Sequence, residues 1–283
     1  MGNPAMNDRQ LEYLKNNQRI MTRLAEEANE ALSVHPTDWF VICGQGSINY
    51  PGLSDEESDV DSKILTIPSF RHMVFNKKPM NLVYEMKDNS EHVDMKSTTH
   101  YFHILKKQNI NFVEILFTDY WISNQKYKEY WLEIRRRAEE IAHMNPVRTL
   151  KCIYGMSLEK AHALEKPYPS KIHLIEEYGY DGKQLSHAIR INEFAKKFIK
   201  GYSYKECLTV DNPEYLMAIK RNQASLSIEE ARELMQKTIE DTKKITDSFC
   251  EKFKDENNPI TEYILDEILY NLLKEAVKRE FEN

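Results

Sequence analysis

Apolar positions along the chain change period once. Over residues 7–34, Leu11, Leu14, Ile20, Met21 and Leu24 recur near a spacing of 3.6, which predicts an amphipathic helix. Trp39-Phe40-Val41-Ile42-Cys43 is a short apolar run closed by Gly44 and reads as a buried strand. A loop with Gly46, Ser47, Asn49, Pro51 and Gly52 follows. Residues 59–65 and 92–96 alternate as strands, and residues 101–107 read as a helix. Residues 111–117 fit strand and helix equally well. Beyond about residue 126 the pattern is helix after helix, with long periodic segments over 127–143 and 147–165. Asn212-Pro213 supplies an N-cap and a first-turn proline, and Ser227 with Glu230 a capping box. Pro259 opens a last helix whose apolar face carries Ile264, Leu265, Ile268, Leu269 and Leu272. The predicted class is α+β: a sheet with flanking helices over 1–145, then an all-helical domain over 146–283.

Composition narrows the class of function. With 41% apolar and 30% charged residues, the 283-residue chain has the make-up of a folded globular protein, which excludes wholesale disorder. No run approaches the ~18 apolar residues of a membrane span. Residues 1–6 lack the apolar core of a secretory leader, and Met6 stands where a myristoylation signal needs Ser or Thr. Cys43, Cys152, Cys207 and Cys250 form no Cys-x-x-Cys pair and have no zinc spacing. Four reduced thiols in a cytoplasmic protein are expected. A net charge of -6 argues against a dedicated duplex-DNA binder but leaves RNA open to local basic patches.

The candidate chemistry lies in three separated elements. Gly46-Ser47 follows the first strand, Asp59-Val60-Asp61 comes after eleven intervening residues, and Asp94 sits between Val93 and Met95. Residues two apart in a strand share a face, so Asp59 and Asp61 present both carboxylates to one side. Such a pair repels itself unless a cation lies between, and Mg²⁺ binds through one or two carboxylates plus substrate phosphates. Asp94 on an adjacent strand would add a third carboxylate, as suits two-metal, in-line phosphoryl chemistry. Gly46 allows backbone to approach a phosphate, and Ser47 adds a hydroxyl and an amide.

These elements resemble the signature of the DNA polymerase beta-type nucleotidyltransferase superfamily. The fuller segments 44–50 and 58–63 are similar to predicted nucleotidyltransferases of bacteria and phages. So are 107–117 and the stretch Gly179-Tyr180-Asp181-Gly182-Lys183 through His187 and Arg190. The resemblance covers roughly residues 40–195. It implies a mixed nucleotidyltransferase sheet flanked by helices, with a helical domain closing the nucleotide cleft. It implies that Asp59 and Asp61 hold the metal carrying the triphosphate, that Asp94 joins them at a second metal activating the acceptor hydroxyl, and that Ser47 contacts the β- or γ-phosphate. The implied cofactor is Mg²⁺ in a two-metal site, with Mn²⁺ as a substitute. The implied substrate is an NTP, with transfer to an RNA end, a small molecule or a protein and release of pyrophosphate. A non-catalytic nucleotide-binding module, or a toxin using the same chemistry, are the alternatives.

Further candidates come from helical and strand spacing. At about 100° per residue, Lys183, His187, Arg190 and Phe194 share one arc bordered by Ile191 and Phe198. A solvated basic face would not carry Phe194 and Phe198, so the helix is expected to pack at its C-terminal end and line a cleft at its start. Lys183 and Arg190 then neutralise triphosphate charge or pair with Glu176 or Glu177. His187 is equally a structural group. Lys63 and Lys96 each follow a carboxylate by two residues and either contact phosphate or balance charge. Tyr50 is a base-stacking or a core residue. Arg135-Arg136-Arg137 is a solvated helix face or a nucleic-acid contact.

Overall fold

The computed structural model describes residues 8–56, 58–88, 91–169 and 171–282. The reading of residues 1–6 lies outside them. The N-terminal half contains helix α1 (Asp8–Val34) and strands β1 (Asp38–Gln45) and β2 (Asp61–Ile67). Helix α2 (Phe70–Val74), strands β3 (Asn81–Glu85) and β4 (His92–Ser97), helices α3 (Thr98–Lys106) and α4 (Ile110–Val113), and strand β5 (Trp121–Ser123) follow. The strands form one sheet in the order β3-β4-β2-β1-β5. β2 and β4 run parallel and the other neighbours antiparallel, so the sheet is mixed.

The strand alternation decides what each face does. Val60 and Ile64 join Ile20, Leu24, Ala28 and Ala31 of α1 in one apolar cluster with Val93 and Met95. Leu65 and Ile67 point the other way, into a core that continues through the rest of the chain. Asp61 and Lys63 share the parity of Leu65, and Asp94 and Lys96 oppose Val93 and Met95. The charged side chains therefore lie on the sheet face turned away from α1.

The core on that face continues through helices α5 (Lys128–Arg136), α6 (Ala138–Ala142), α7 (Pro146–Ala163) and α9 (Gly182–Phe198), while α8 (Ile172–Tyr178) buries no residue. Helices α10 (Tyr204–Cys207), α11 (Pro213–Lys220), α12 (Ile228–Cys250) and α13 (Pro259–Glu282) complete the all-helical C-terminal region. α9 packs against α7, α10, α11 and α12. One apolar cluster runs from Phe40 in β1 to Ala276 in α13, and includes Trp131, Phe194 and Phe198. Among the described residues no helix is long and apolar enough to cross a membrane.

The capping signals form as expected. The Asn212 side chain accepts from Tyr215 N, with Pro213 in the first turn, and Ser227 and Glu230 make a reciprocal capping box. Three expectations change. The segment 127–143 is interrupted at Arg137, and each piece buries its own apolar residues, Trp131 and Ile134 in α5 and Ile141 in α6. Residues 111–117 are helical: α4 passes into a 3-10 turn over Glu114–Leu116, and Glu114 is buried. β3 and β5 had no sequence prediction, because β5 is three residues long and β3 is an edge strand with Val83 exposed.

Close approach of α9 to α11 requires Gly182. A Cβ there would lie 2.0 Å from the Ile219 carbonyl and 2.8 Å from Asn222 Oδ1. Asn222 Oδ1 also accepts from Gly182 N at 3.2 Å. Gly182→Ala is expected to cost about 1–3 kcal/mol through overpacking. Thermal unfolding should show a midpoint lowered by several degrees, and an unchanged midpoint would mean that α11 yields freely.

Candidate functional site

The turn after β1 is held from below. Gly46 has φ of +72°, a left-handed conformation that favours glycine, and opens a 3-10 turn over Gly46–Asn49. Gly46 N donates to Glu114 Oε1 at 3.1 Å, and the Tyr50 hydroxyl donates to the other oxygen of the same buried carboxylate. Asn49 Nδ2 donates to the Gly44 carbonyl at 3.0 Å, and Asn49 Oδ1 accepts from Thr118 Oγ1 at 2.6 Å. Four side chains thus shape the turn that presents Ser47. Tyr50 is 4% exposed, so it is a core residue under the turn. Burial, reinforced by Glu114, keeps its hydroxyl protonated.

Asp59 and Asp61 flank Val60, which is fully buried on the α1 side, so both carboxylates face the opposite way. Asp59 precedes β2 rather than belonging to it. The strand ladder ends where Gln45 pairs with Asp61, and Val60 N donates to Glu91 Oε1 at 2.8 Å instead. Asp59 is exposed and, among the described residues, has no hydrogen bond or ion pair. Asp61 Oδ1 accepts from His92 N at 3.1 Å and is otherwise half open.

Two cavities meet at Asp61. One, of about 280 Å³, is lined by Ser47, Asp59 and Asp61 on the sheet side and by Lys183, Lys220 and Arg221 on the helical side. The other, of about 200 Å³, has Asp61, Lys63 and Glu114 facing Lys160, His187 and Arg190. Lys160, Lys183 and Arg190 enter no ion pair among the described residues, whereas Arg221 is bound to Asp55. Burial, then Lys183, pushes the Lys220 ammonium below its ordinary range, and burial with Arg190 and Lys183 does the same to Lys160. His187 is driven well below its usual value by burial and then by Arg190, Lys160, Lys183 and Lys220, so it is neutral at pH 7. Four cations crowded without carboxylate partners raise one another's energy, and an entering polyanion relieves that strain.

The predicted arc on α9 therefore divides. Lys183 serves the first cavity, and His187 and Arg190 serve the second. Neither cation pairs with Glu176 or Glu177. The Arg190 guanidinium lies 3.6 Å over the Tyr50 ring, and its buried Nε has no hydrogen-bond partner. Asp181 caps α9 by accepting from Lys183 N at 2.9 Å, and Phe194 and Phe198 anchor the helix in the core.

Asp94 sits differently from the other two carboxylates. Its Oδ2 lies 2.9 Å from Lys63 Nζ and its Oδ1 2.9 Å from Lys96 Nζ. Lys63 shares the face of Asp61, as the spacing predicted, but its charge is given across the strand boundary to Asp94. Its ammonium also lies 4.5 Å above the Phe112 ring. Among the described residues, no group of three or more His, Cys, Asp or Glu side chains converges as a metal-ligand set. Asp59 and Asp61, with free oxygens at a cavity mouth, suit a single hard cation that completes its shell with phosphate oxygens and water.

Sequence reasoning missed Glu114, Lys160, Lys220 and Arg221. Glu114 stood in a quoted segment without a role, and nothing in the spacing of the three cations separates them from a solvated helix face. The Arg135–Arg137 run is dispersed: Arg135 Nη1 donates to the Thr118 carbonyl at 2.7 Å, while Arg136 and Arg137 pair with Glu133. A larger cavity of about 1150 Å³ lies at the other end of the sheet, between Asp38, Thr66 and α13. Its lining includes neither the Gly46-Ser47 turn nor any of the three aspartates, so of the sequence-predicted residues Ser47, Asp59, Asp61, Lys63, Lys183, His187 and Arg190 line the smaller pair.

Fold and site together define a class: a mixed-sheet α+β protein whose helical half sets basic side chains opposite two free carboxylates and a glycine-serine turn. Comparison with protein-family models and with curated proteins finds no match. Among solved structures the chain is similar to the crystal structure of a nucleotidyltransferase-like protein from Exiguobacterium sibiricum 255-15. The two share 11% identity over 81% of this chain and 75% of that one, at a TM-score of 0.30. Similarity that loose carries no residue role from one chain to the other.

Proposed function

We propose that the protein is a Mg²⁺-dependent nucleotidyltransferase that moves a nucleoside monophosphate from an NTP to an acceptor hydroxyl. The observation that carries this reading is the meeting of Asp59, Asp61 and Ser47 with the unpaired Lys183 and Lys220 across one cavity. Carboxylates and ammoniums that face each other without pairing to one another, Lys220 being held by the Leu53 carbonyl at 3.1 Å, fit a ligand that supplies both a cation and a polyanion, and Mg²⁺-triphosphate is both. Asp59 and Asp61 would hold the metal, whose chemistry is to neutralise phosphate charge and polarise the α-phosphorus. Mn²⁺ would occupy the same oxygens.

The chain's own groups do the rest. The Gly46–Asn49 turn, clamped by Glu114, offers the Ser47 hydroxyl to the β- or γ-phosphate. Lys183 and Lys220 hold the two outer phosphates and stabilise the charge that develops on them. The acceptor oxygen bonds to the α-phosphorus as the bridging bond to the β-phosphate breaks. The electron pair leaves on pyrophosphate, and the hydroxyl proton passes to water. The second cavity, which also opens at Asp61, would receive the acceptor, with Arg190 and Lys160 in its lining. Acceptors of the three classes named by the resemblance, RNA ends, small molecules and proteins, all carry a suitable hydroxyl.

The direct test is incubation with each α-labelled NTP and Mg²⁺, following pyrophosphate release and the destination of the label in cell extract. Label transfer that needs the metal is expected. Absence of NTP binding by calorimetry, with all four bases tried, would sink the proposal. A finer expectation concerns the phosphates. Lys183→Ala and Lys220→Ala should each weaken triphosphate binding roughly ten- to a hundredfold, the worth of a charge-assisted contact. Monophosphate binding should change little. Equal losses for both nucleotides would place these lysines outside the phosphate site.

A further inference from the structure

We infer that Lys63 is a resident cation standing where a second metal ion would act, so that the site takes one divalent ion, on Asp59 and Asp61, rather than two. This rests on the metal-dependent reading above and departs from the two-metal expectation drawn from the sequence.

Three observations converge. The first is register. In the parallel pair β2 and β4, Asp94 lies opposite Lys63, not opposite Asp61. Asp61 is two strand residues earlier, a step of about 6.6 Å along the sheet. The third carboxylate is therefore level with a lysine and set back from the other two. The second is occupancy. Asp94 Oδ2 accepts from the Lys63 ammonium at 2.9 Å, and Oδ1 lies 2.9 Å from the Lys96 ammonium, which gives its hydrogen bond to Asn81 Oδ1 at 2.6 Å. Mg²⁺ needs oxygen ligands at about 2.0–2.1 Å in near-octahedral geometry, whereas Oδ2 is already bonded to Lys63 and Oδ1 has the Lys96 ammonium at contact range. A divalent ion on Asp94 would also face two like charges at contact range.

The third is burial. Lys63 is only 5% exposed, between the Phe112 ring and the Asp94 carboxylate. A buried ammonium that loses its carboxylate pays a large desolvation cost, so Lys63 does not swing aside for an incoming ion. Lys63 nevertheless lines the second cavity beside Asp61. Its fixed positive charge is presented on the acceptor side, where a second metal would neutralise the attacking oxygen. Lys63 acts as a positioned charge that cannot dissociate, and Asp94 is its counter-ion.

The experiment counts bound Mn²⁺ on the full chain. Electron paramagnetic resonance of free Mn²⁺ gives the stoichiometry in the presence of saturating α,β-methylene ATP or α,β-methylene GTP. The wild type should bind one Mn²⁺ per chain, with no spin coupling between ions. Two ions, or the coupled spectrum of a pair ~4 Å apart, would overturn the inference while leaving the nucleotidyltransferase reading intact. No Mn²⁺ bound at all would overturn both. Lys63→Met frees Asp94 and should raise the count to two, and adding Asp94→Asn should return it to one. A count that stays at one in Lys63→Met would show that Lys63 is not what excludes the second ion. If Lys63→Met fails to fold, as melting would reveal, the wild-type count alone still decides.

Discussion

Asp61→Asn should abolish nucleotidyl transfer while leaving the protein folded. A metal that polarises a phosphoryl group is worth several kcal/mol of transition-state stabilisation, so losing one of its two protein ligands should slow transfer by roughly a thousandfold or more. Asp59→Asn should do the same from the other side of the ion. The fold should tolerate both changes. Asp59 is exposed and unpaired among the described residues. Asp61 contributes structurally by accepting from His92 N, which an Asn carbonyl oxygen can still do. Midpoints of thermal unfolding within a few degrees of wild type, with turnover lost, are the expected pair of results. Near-normal turnover in both variants would remove the metal site from the mechanism.

The second large effect is on stability and lies on the opposite face of the sheet. Glu27 of α1 is fully buried beneath β2 and has no geometrically sound hydrogen bond to either oxygen. Burial pushes its carboxyl up to about 8, aided by Glu91 and Asp61 and opposed by the nearby Ser62 hydroxyl and Arg23. An ordinary Glu titrates near 4.3 when unfolded. Between these values the folded state holds a proton that the unfolded state has lost. Unfolding free energy contributed by Glu27 is therefore fully present below pH ~4.3, falls as pH rises, and levels off above about 8. The slope is about 1.4 kcal/mol per pH unit, for a total on the order of 5 kcal/mol. Glu27→Gln keeps the shape and removes the titration. Urea unfolding of both proteins at pH 5, 7 and 9 should show the variant gaining on wild type as pH rises. Parallel curves would mean that Glu27 is ionised in the fold, with water or the Ser62 hydroxyl satisfying it.

Much of the site was readable before the structure, for a physical reason. Asp59, Asp61, Gly46 and Ser47 are close in sequence, and the two-residue period that predicted both carboxylates on one side leads to the observed shared cavity even though Asp59 stands just before β2. The caps at Asn212 and Ser227 were equally readable, because each acts on an amide three residues away. The arc of α9 could be drawn from helical spacing. Its division between two cavities could not, since that depends on where Asp61 stands beneath the helix. Lys160 and Lys220 escaped notice because they lie on helices α7 and α11, and only packing around α9 brings them to Lys183 and Arg190.

Sequence by itself determined most of the elements, though not β3 and β5, and the local chemistry: an αβ half, a helical half, a glycine-serine turn and a carboxylate pair. These follow from interactions over a few residues, such as propensity, capping, apolar period and charge spacing. Tertiary structure alone decided three things. It set Asp94 against Lys63, because parallel register is fixed by pairing between distant segments. It buried Glu114 under the Gly46 turn from 68 residues away. And it assembled Lys183 and Lys220 opposite Asp59 and Asp61, because side chains far apart in sequence are brought together only when the apolar core that carries them closes.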